Sequence, residues 1–205
     1  MREKGRAVKL SERRKSLKQD TFLGKFTLFE LILIALIAAL GIAVKPVVVA
    51  LSHLITGPLL IPGGALAGGF YMLFVVLGGA LVGKKGSATL ICLIQGIVVL
   101  VSGVYGSHGA ASLITYVVPG LLVDALWIIC RTDGRSLAAC FTGGIVANMS
   151  GTVLVNFVFF RMPVELLLFI AVVAALSGGV GGVIAWQIVK HFTKLNIFSQ
   201  LQEKA

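Results

Sequence analysis

The sequence predicts an all-α integral membrane protein with six transmembrane helices and both termini in the cytoplasm. Three observations predict it: composition, the spacing of apolar runs and the placement of positive charge. Hydrophobic residues make up 58% of the 205 residues and charged residues 13%, with a mean hydropathy of +1.01; a water-soluble domain of that length does not present such a surface. A span needs about 20 largely apolar residues. Runs of this kind lie near 28–46, 64–82, 88–104, 110–130, 137–160 and 165–189, separated by Gly/Pro or charged breaks. Nine Lys and Arg precede the first run. Lys84 and Lys85 lie between the second and third, Arg131 and Arg135 between the fourth and fifth, and Lys190, Lys194 and Lys204 at or after the end of the sixth. Only Lys45 and Arg161 fall on the other side. Basic residues in alternate connections, with an even number of spans, place both ends inside.

Residues 1–27 thus read as a basic cytoplasmic tail, 28–190 as the six-helix domain and 191–205 as a second cytoplasmic tail. The first tail lacks a small-residue cleavage site after a short apolar core, so no removable signal peptide is expected. The first span contains "ALIAALGIA", with Ala35, Ala39 and Ala43 four residues apart. Such spacing stacks them on one helical face, and a face without bulk lets another backbone approach closely. After it, "PVVVALSHLITGPLLIPGG" carries Pro46, Pro58 and Pro62. Because proline interrupts the helical hydrogen-bond ladder, this stretch is expected to be an apolar loop or re-entrant segment covered by protein. In the sixth span, Gly178, Gly179, Gly181 and Gly182 form a second small stripe, expected to serve close helix packing.

Polar residues inside a bilayer need a reason. Lys45 is expected near the outer end of span one, Gln95 midway along span three, Asn148 midway along span five and Asn156 nearer its outer end. Tyr116 falls in the outer half of span four. His53 belongs to the first outer loop, and Tyr105 and His108 to "SGVYGSHGAAS". Together these place a solute pocket in the outer half, although a lone Asn or Gln equally serves as interhelical glue and Lys45 could simply snorkel. Asp124, in the inner half of span four, reads as packing or coupling, with ligand binding the other reading.

Several classes are excluded. Cys92, Cys130 and Cys140 have neither CxxC nor Cys/His spacing, so no disulfide framework, metal site or cofactor is expected. There is no HExxH, GxSxG or P-loop, and no acidic cluster for two-metal phosphotransfer. No catalytic residue is assigned, and the chain is not expected to be an enzyme. The net charge of +10 follows from the inside bias and attraction to anionic membrane lipid, without a nucleic-acid partner.

The alanine stripe, the six short spans, the apolar first outer loop and the length together resemble the substrate-binding S component of energy-coupling factor (ECF) transporters, a kind of ABC importer. Within that family "GKKGSATL" and "PGLLVDALW" are most similar to the YkoE type, associated with thiamine and hydroxymethylpyrimidine. The resemblance implies that Ala35, Ala39 and Ala43 dock on a transmembrane T component. Two attached ATPases would then drive uptake of a vitamin or vitamin precursor held by Lys45, His53, Gln95, Tyr105, His108, Tyr116, Asn148 and Asn156. One departure is visible: where the YkoE type carries acidic residues in span three and the first outer loop, this chain has Cys92 and Val99 in span three and no carboxylate in the loop before Tyr71. Burying a cation without a counter-charge is unfavourable, so the expected solute is neutral or weakly anionic. A ligand-free membrane scaffold or assembly protein is the alternative reading. A membrane transferase is disfavoured by the opposite depths of Asp124 and Glu165.

Overall fold

The structure, a computed structural model, describes residues 22–56, 63–102 and 111–194. By their internal contacts the residues divide into two units, 1–32 and 33–205. In the first, a short 3₁₀ turn at Phe22–Lys25 precedes the start of a helix. Thr27 and Glu30 cap that start reciprocally: the Thr27 N–H donates to Glu30 Oε2 at 2.7 Å and the Glu30 N–H to Thr27 Oγ1 at 3.2 Å. This Thr-x-x-Glu box satisfies donors that the first helical turn would otherwise leave open.

Six apolar helices follow: α1 Leu28–Thr56, α2 Gly63–Val82, α3 Ser87–Ser102, α4 Ala111–Ile129, α5 Leu137–Val155 and α6 Val164–Lys194. Five are long and apolar enough to cross a membrane, and α3 is a shorter apolar helix. The expected spans correspond to these six in order. One expectation is corrected. Helix α1 does not stop near residue 46 but continues unbroken for 29 residues with Pro46 inside it, so residues 46–56 are helix and not loop. Proline removes one ladder hydrogen bond, yet within a membrane neighbouring groups and local adjustments make this tolerable. Lys45 accordingly lies well before the end of its helix rather than at it. Pro58 and Pro62 lie outside the described residues. At its other end the bundle extends slightly past expectation, since α6 runs to Lys194.

Helices α2, α5 and α6 pack with their backbones nearly touching. A Cβ on Gly144 would stand 2.1 Å from the Gly178 carbonyl oxygen, one on Gly178 2.3 Å from that of Gly144, and one on Gly181 2.0 Å from that of Gly69. No side chain fits there. Such closeness puts backbone carbonyls of α2 and α6 within reach of side chains on their neighbours. Asn148 of α5 donates to Ala65 O at 3.0 Å and Ala174 O at 2.8 Å. Ser177 of α6 accepts from the Gly69 N–H at 3.1 Å and donates to Leu66 O. The glycine stripe of α6 is therefore a packing surface, as its spacing suggested.

The end of the bundle where α2 stops and α5 begins is fixed by polar groups. Gly83 adopts φ +66° and closes α2, a left-handed cap that glycine takes without strain. Arg135 reaches the open carbonyls of α2 there, donating through Nε to Ala80 O at 3.2 Å and through Nη2 to Leu81 O at 3.5 Å. Ser136 caps α5 by accepting from the Ala139 N–H, and the Trp127 indole donates to Ala139 O at 3.0 Å, tying α4 to α5. Beyond Val155, a single π-helical stretch, Asn156–Phe160, continues α5.

Two expected outcomes follow from this architecture. Gly178→Val should overpack the α5–α6 contact by about 1–3 kcal/mol or more and remove the monodisperse peak from size-exclusion chromatography in detergent. Gly64→Ala should leave that peak unchanged, because its Cβ would meet only the Tyr71 hydroxyl, at 3.7 Å. Orientation is tested by single thiols at the two ends. Cys130 is exposed beside Arg131, and Glu165 is exposed at the start of α6. With the basic end inside, a membrane-impermeant maleimide should label Glu165→Cys in intact cells and Cys130 only after permeabilisation.

Candidate functional site

Polar side chains from three helices meet at Lys45. Its ammonium turns away from the open face of α1 toward α2 and α4, where it lies 5.0 Å from the ring centroid of Tyr71 and 4.4 Å from that of Tyr116. It also hydrogen-bonds the Tyr116 hydroxyl. Two ring faces around an ammonium stabilise it electrostatically, the more so away from water. Tyr71 is held in turn by its own helix. Side chains of a helix lean toward its N-terminus, and the Tyr71 hydroxyl donates to Gly64 O at 3.1 Å, two turns back. Tyr71 was not among the residues expected from the sequence, and the only hint there is an isolated tyrosine in "GGFYMLF".

Of the expected binding residues, Lys45 and Tyr116 are thus brought together, and Gln95 of α3 meets α1 about two turns before Lys45. Its amide donates to Ala38 O at 3.3 Å, beside Gly41, where a Cβ would come within 2.4 Å of Gln95 Nε2. Asn148 is buried elsewhere, in the α2–α5–α6 contact, with both of its donor bonds on backbone. Asn156 is buried at the end of α5, where its carbonyl oxygen accepts from the Arg161 N–H at 2.7 Å and its side-chain Oδ1 from the Met162 N–H at 3.2 Å. These bonds hold Arg161 at φ +48° and end the helix. His53 is exposed near the end of α1. Tyr105 and His108 lie outside the described residues.

Asp124 lies two turns along α4 from Tyr116. Its Oδ2 accepts from Thr89 N at 2.7 Å and Thr89 Oγ1 at 2.5 Å. Thr89 is in the first turn of α3, whose amide hydrogens have no partners in their own helix, and a carboxylate there also opposes the positive end of the helix dipole. Asp124 therefore clamps α4 to the start of α3. Its second oxygen, Oδ1, is buried with no hydrogen-bond partner among the described residues.

The alanine stripe has an unambiguous place. Ala35, Ala39 and Ala43 are all exposed, while Ile34, Ile37, Ala38, Gly41 and Ile42 of the same helix are buried. The stripe is not consumed by the chain's own packing. A separate groove of about 340 Å³ runs between α2 and α6, lined by Leu66, Phe70, Val173, Leu176 and Val180 among others. It is apolar, opens beside exposed side chains and contains none of the expected binding residues, so the polar cluster is the better candidate for recognising a solute.

Comparison with known proteins fits this arrangement. The family model for the permease component of the ABC-type cobalt transport system matches residues 29–150. A solved structure described as an S-component of an ECF transporter superposes with a TM-score of 0.71, covering 87% of this chain and 94% of that one at 17% identity. At that identity the likeness is one of fold. No curated protein matches the chain. Six apolar helices in that fold make this a multi-pass protein of the cell membrane.

The clamp at the start of α3 gives a measurable expectation. Asp124→Ala should lower stability by about 1–3 kcal/mol, the usual loss when buried donors are left unmade. Asp124→Asn, which keeps an acceptor for Thr89, should lose clearly less. Thermal unfolding of the detergent-solubilised variants checks both, and equal melting of Asp124→Ala and the parent would remove the clamp.

Proposed function

Because the chain belongs to the family of permease components of ABC-type cobalt transport systems, we propose that it is the substrate-binding S component of an ECF-type importer. One observation carries the reading: a single helix, α1, offers an empty small-residue face outward and a polar cluster inward. Ala35, Ala39 and Ala43 are exposed while Lys45 turns into the bundle. A stripe of small residues lets a partner helix approach closely, and here none of the described residues covers it. The partner is a transmembrane T component carrying two ATPases. The solute enters the outer half, near Lys45, Gln95 and Tyr116, with His53, Tyr105 and His108 as further contacts, while the amides Asn148 and Asn156 support the site only through the helix packing and helix end that they hold. Docking through the stripe and ATP hydrolysis on the attached subunits then reorient the loaded subunit and release the solute inside. The chain binds and does not catalyse.

The solute in this reading is a vitamin or vitamin precursor, either thiamine-related, as in the YkoE type that the chain resembles, or another small solute that is neutral or weakly anionic. A bare divalent ion suits the site poorly. The ammonium of Lys45 stands at the centre of the cluster and repels a metal cation, whereas an organic solute finds hydrogen-bond donors and two aromatic faces.

Ala39→Trp separates docking from folding. Position 39 is exposed, so the indole meets no packed core and should leave folded yield and melting temperature unchanged, as surface substitutions usually do within about 0.5 kcal/mol. It should abolish co-purification of the T component and ATPases with the tagged chain. Loss of folded protein would place the stripe in internal packing, and undiminished assembly would remove the docking face.

A further inference from the structure

Resting on the reading of this chain as a solute-binding subunit, we infer that its solute carries a carboxylate, held by Lys45 and Tyr116. The first ground is charge. Lys45 forms no ion pair among the described residues, and the four carboxylates among them, Glu30, Asp124, Asp133 and Glu165, all lie elsewhere. Glu3, Glu12 and Asp20 precede α1, and Glu203 follows α6. Glu30 caps the start of α1 through Thr27, Asp124 holds Thr89 and Asp133 lies 3.9 Å from Arg135. Glu165 is exposed in the first turn of α6. The two connecting segments outside the described residues on the Lys45 side, 57–62 and 103–110, contain no Asp or Glu. Among the described residues a half-buried ammonium inside a membrane bundle is therefore left without a carboxylate partner, although unpaired charge is strongly disfavoured there.

The second ground is the donor inventory. An ammonium has three hydrogens to donate and cannot accept. Because the Tyr116 oxygen accepts one of them, the phenolic hydrogen of Tyr116 is left to donate outward. The Tyr71 hydrogen is already used on Gly64 O. Lys45 Nζ and Tyr116 Oη thus present hydrogens side by side, and adjacent donors match the two oxygens of one carboxylate in charge-assisted bonds. An amide in that place would turn an N–H against an ammonium. A phosphate ester would bring a charge of about −1.5 to −2 to a site with a single positive charge, leaving the excess unpaired.

The full chain in lipid nanodiscs, incubated with a deproteinised small-molecule extract of its host cells and washed, tests this by mass spectrometry of the released compound before and after methyl esterification. The compound enriched by the parent should gain one methyl group. Lys45→Gln should enrich it at least about tenfold less, the loss expected for a charge-assisted bond. Lys45→Arg should retain most of it, and Tyr116→Phe, which removes only the hydroxyl, should fall between. Enrichment of a compound without a carboxylate, or equal enrichment by Lys45→Gln, overturns the carboxylate assignment and leaves solute binding standing. If Lys45→Gln does not fold, undiminished enrichment by Tyr116→Phe overturns the proposed pair instead. A parent that enriches nothing overturns both the carboxylate and the solute-binding reading.

Discussion

The structure rests on backbone contact between α2, α5 and α6. In lipid, helices gain nothing by hiding apolar surface from one another, so close van der Waals packing and interhelical hydrogen bonds must hold them. Gly144 against Gly178 and Gly69 against Gly181 bring main chains to a separation at which no Cβ could be inserted. The same separation exposes carbonyls of α2 and α6 to Asn148 and Ser177. Packing and polar bonding thus depend on each other: without the glycines the amide could not reach, and without the amide the approaching carbonyls would lack these partners. Tyr71, on α2, is carried into position by this contact.

Helix α1 has a different standing. Its inward face meets the bundle through Ile37, Ala38 and Gly41, with Gln95 bonded to the Ala38 carbonyl. Its outward face, with Ala35, Ala39 and Ala43, is exposed among the described residues. Lys45 lies on the same helix as the alanine stripe, close in sequence to Ala43, so any shift of α1 caused by a partner on one face is felt at the ammonium on the other. That proximity is what would link the proposed docking face to the proposed solute site without any long-range pathway.

Much of this architecture was legible in the residues. The six spans follow from apolar length, and the breaks between them from glycine, proline and charge. The stripe at Ala35, Ala39 and Ala43 follows from a spacing of four. What could not be read is mostly three-dimensional. Pro46 signals a break in water, but a membrane helix passes through it, which moved Lys45 away from a helix end. Asn148 and Asn156 look alike in sequence, yet one spans three helices and the other ends its own. Only the helix packing tells them apart. Tyr71 joins the Lys45 site through a tertiary contact, and no local pattern marks it. Thr89 was hidden for a similar reason: its amide becomes a partner for Asp124 only when α4 lies against the start of α3.

The basic residues at the end shared by α2 and α5 are usually counted as interchangeable, since orientation in a membrane depends on their number near the spans. Arg135 shows that they are not. Its guanidinium occupies the carbonyls that α2 leaves open at Ala80 and Leu81, and Gly83 leaves just enough room, with a Cβ there falling 2.9 Å from Arg135 Nη2. A drifting sequence could exchange Lys84 for arginine, or shift a positive charge by a few positions along a connection, and keep the same orientation. Moving the charge of Arg135 would preserve that tally while uncapping a helix. Topology and folding therefore place unequal demands on neighbouring cations, and at this position the stricter demand comes from folding.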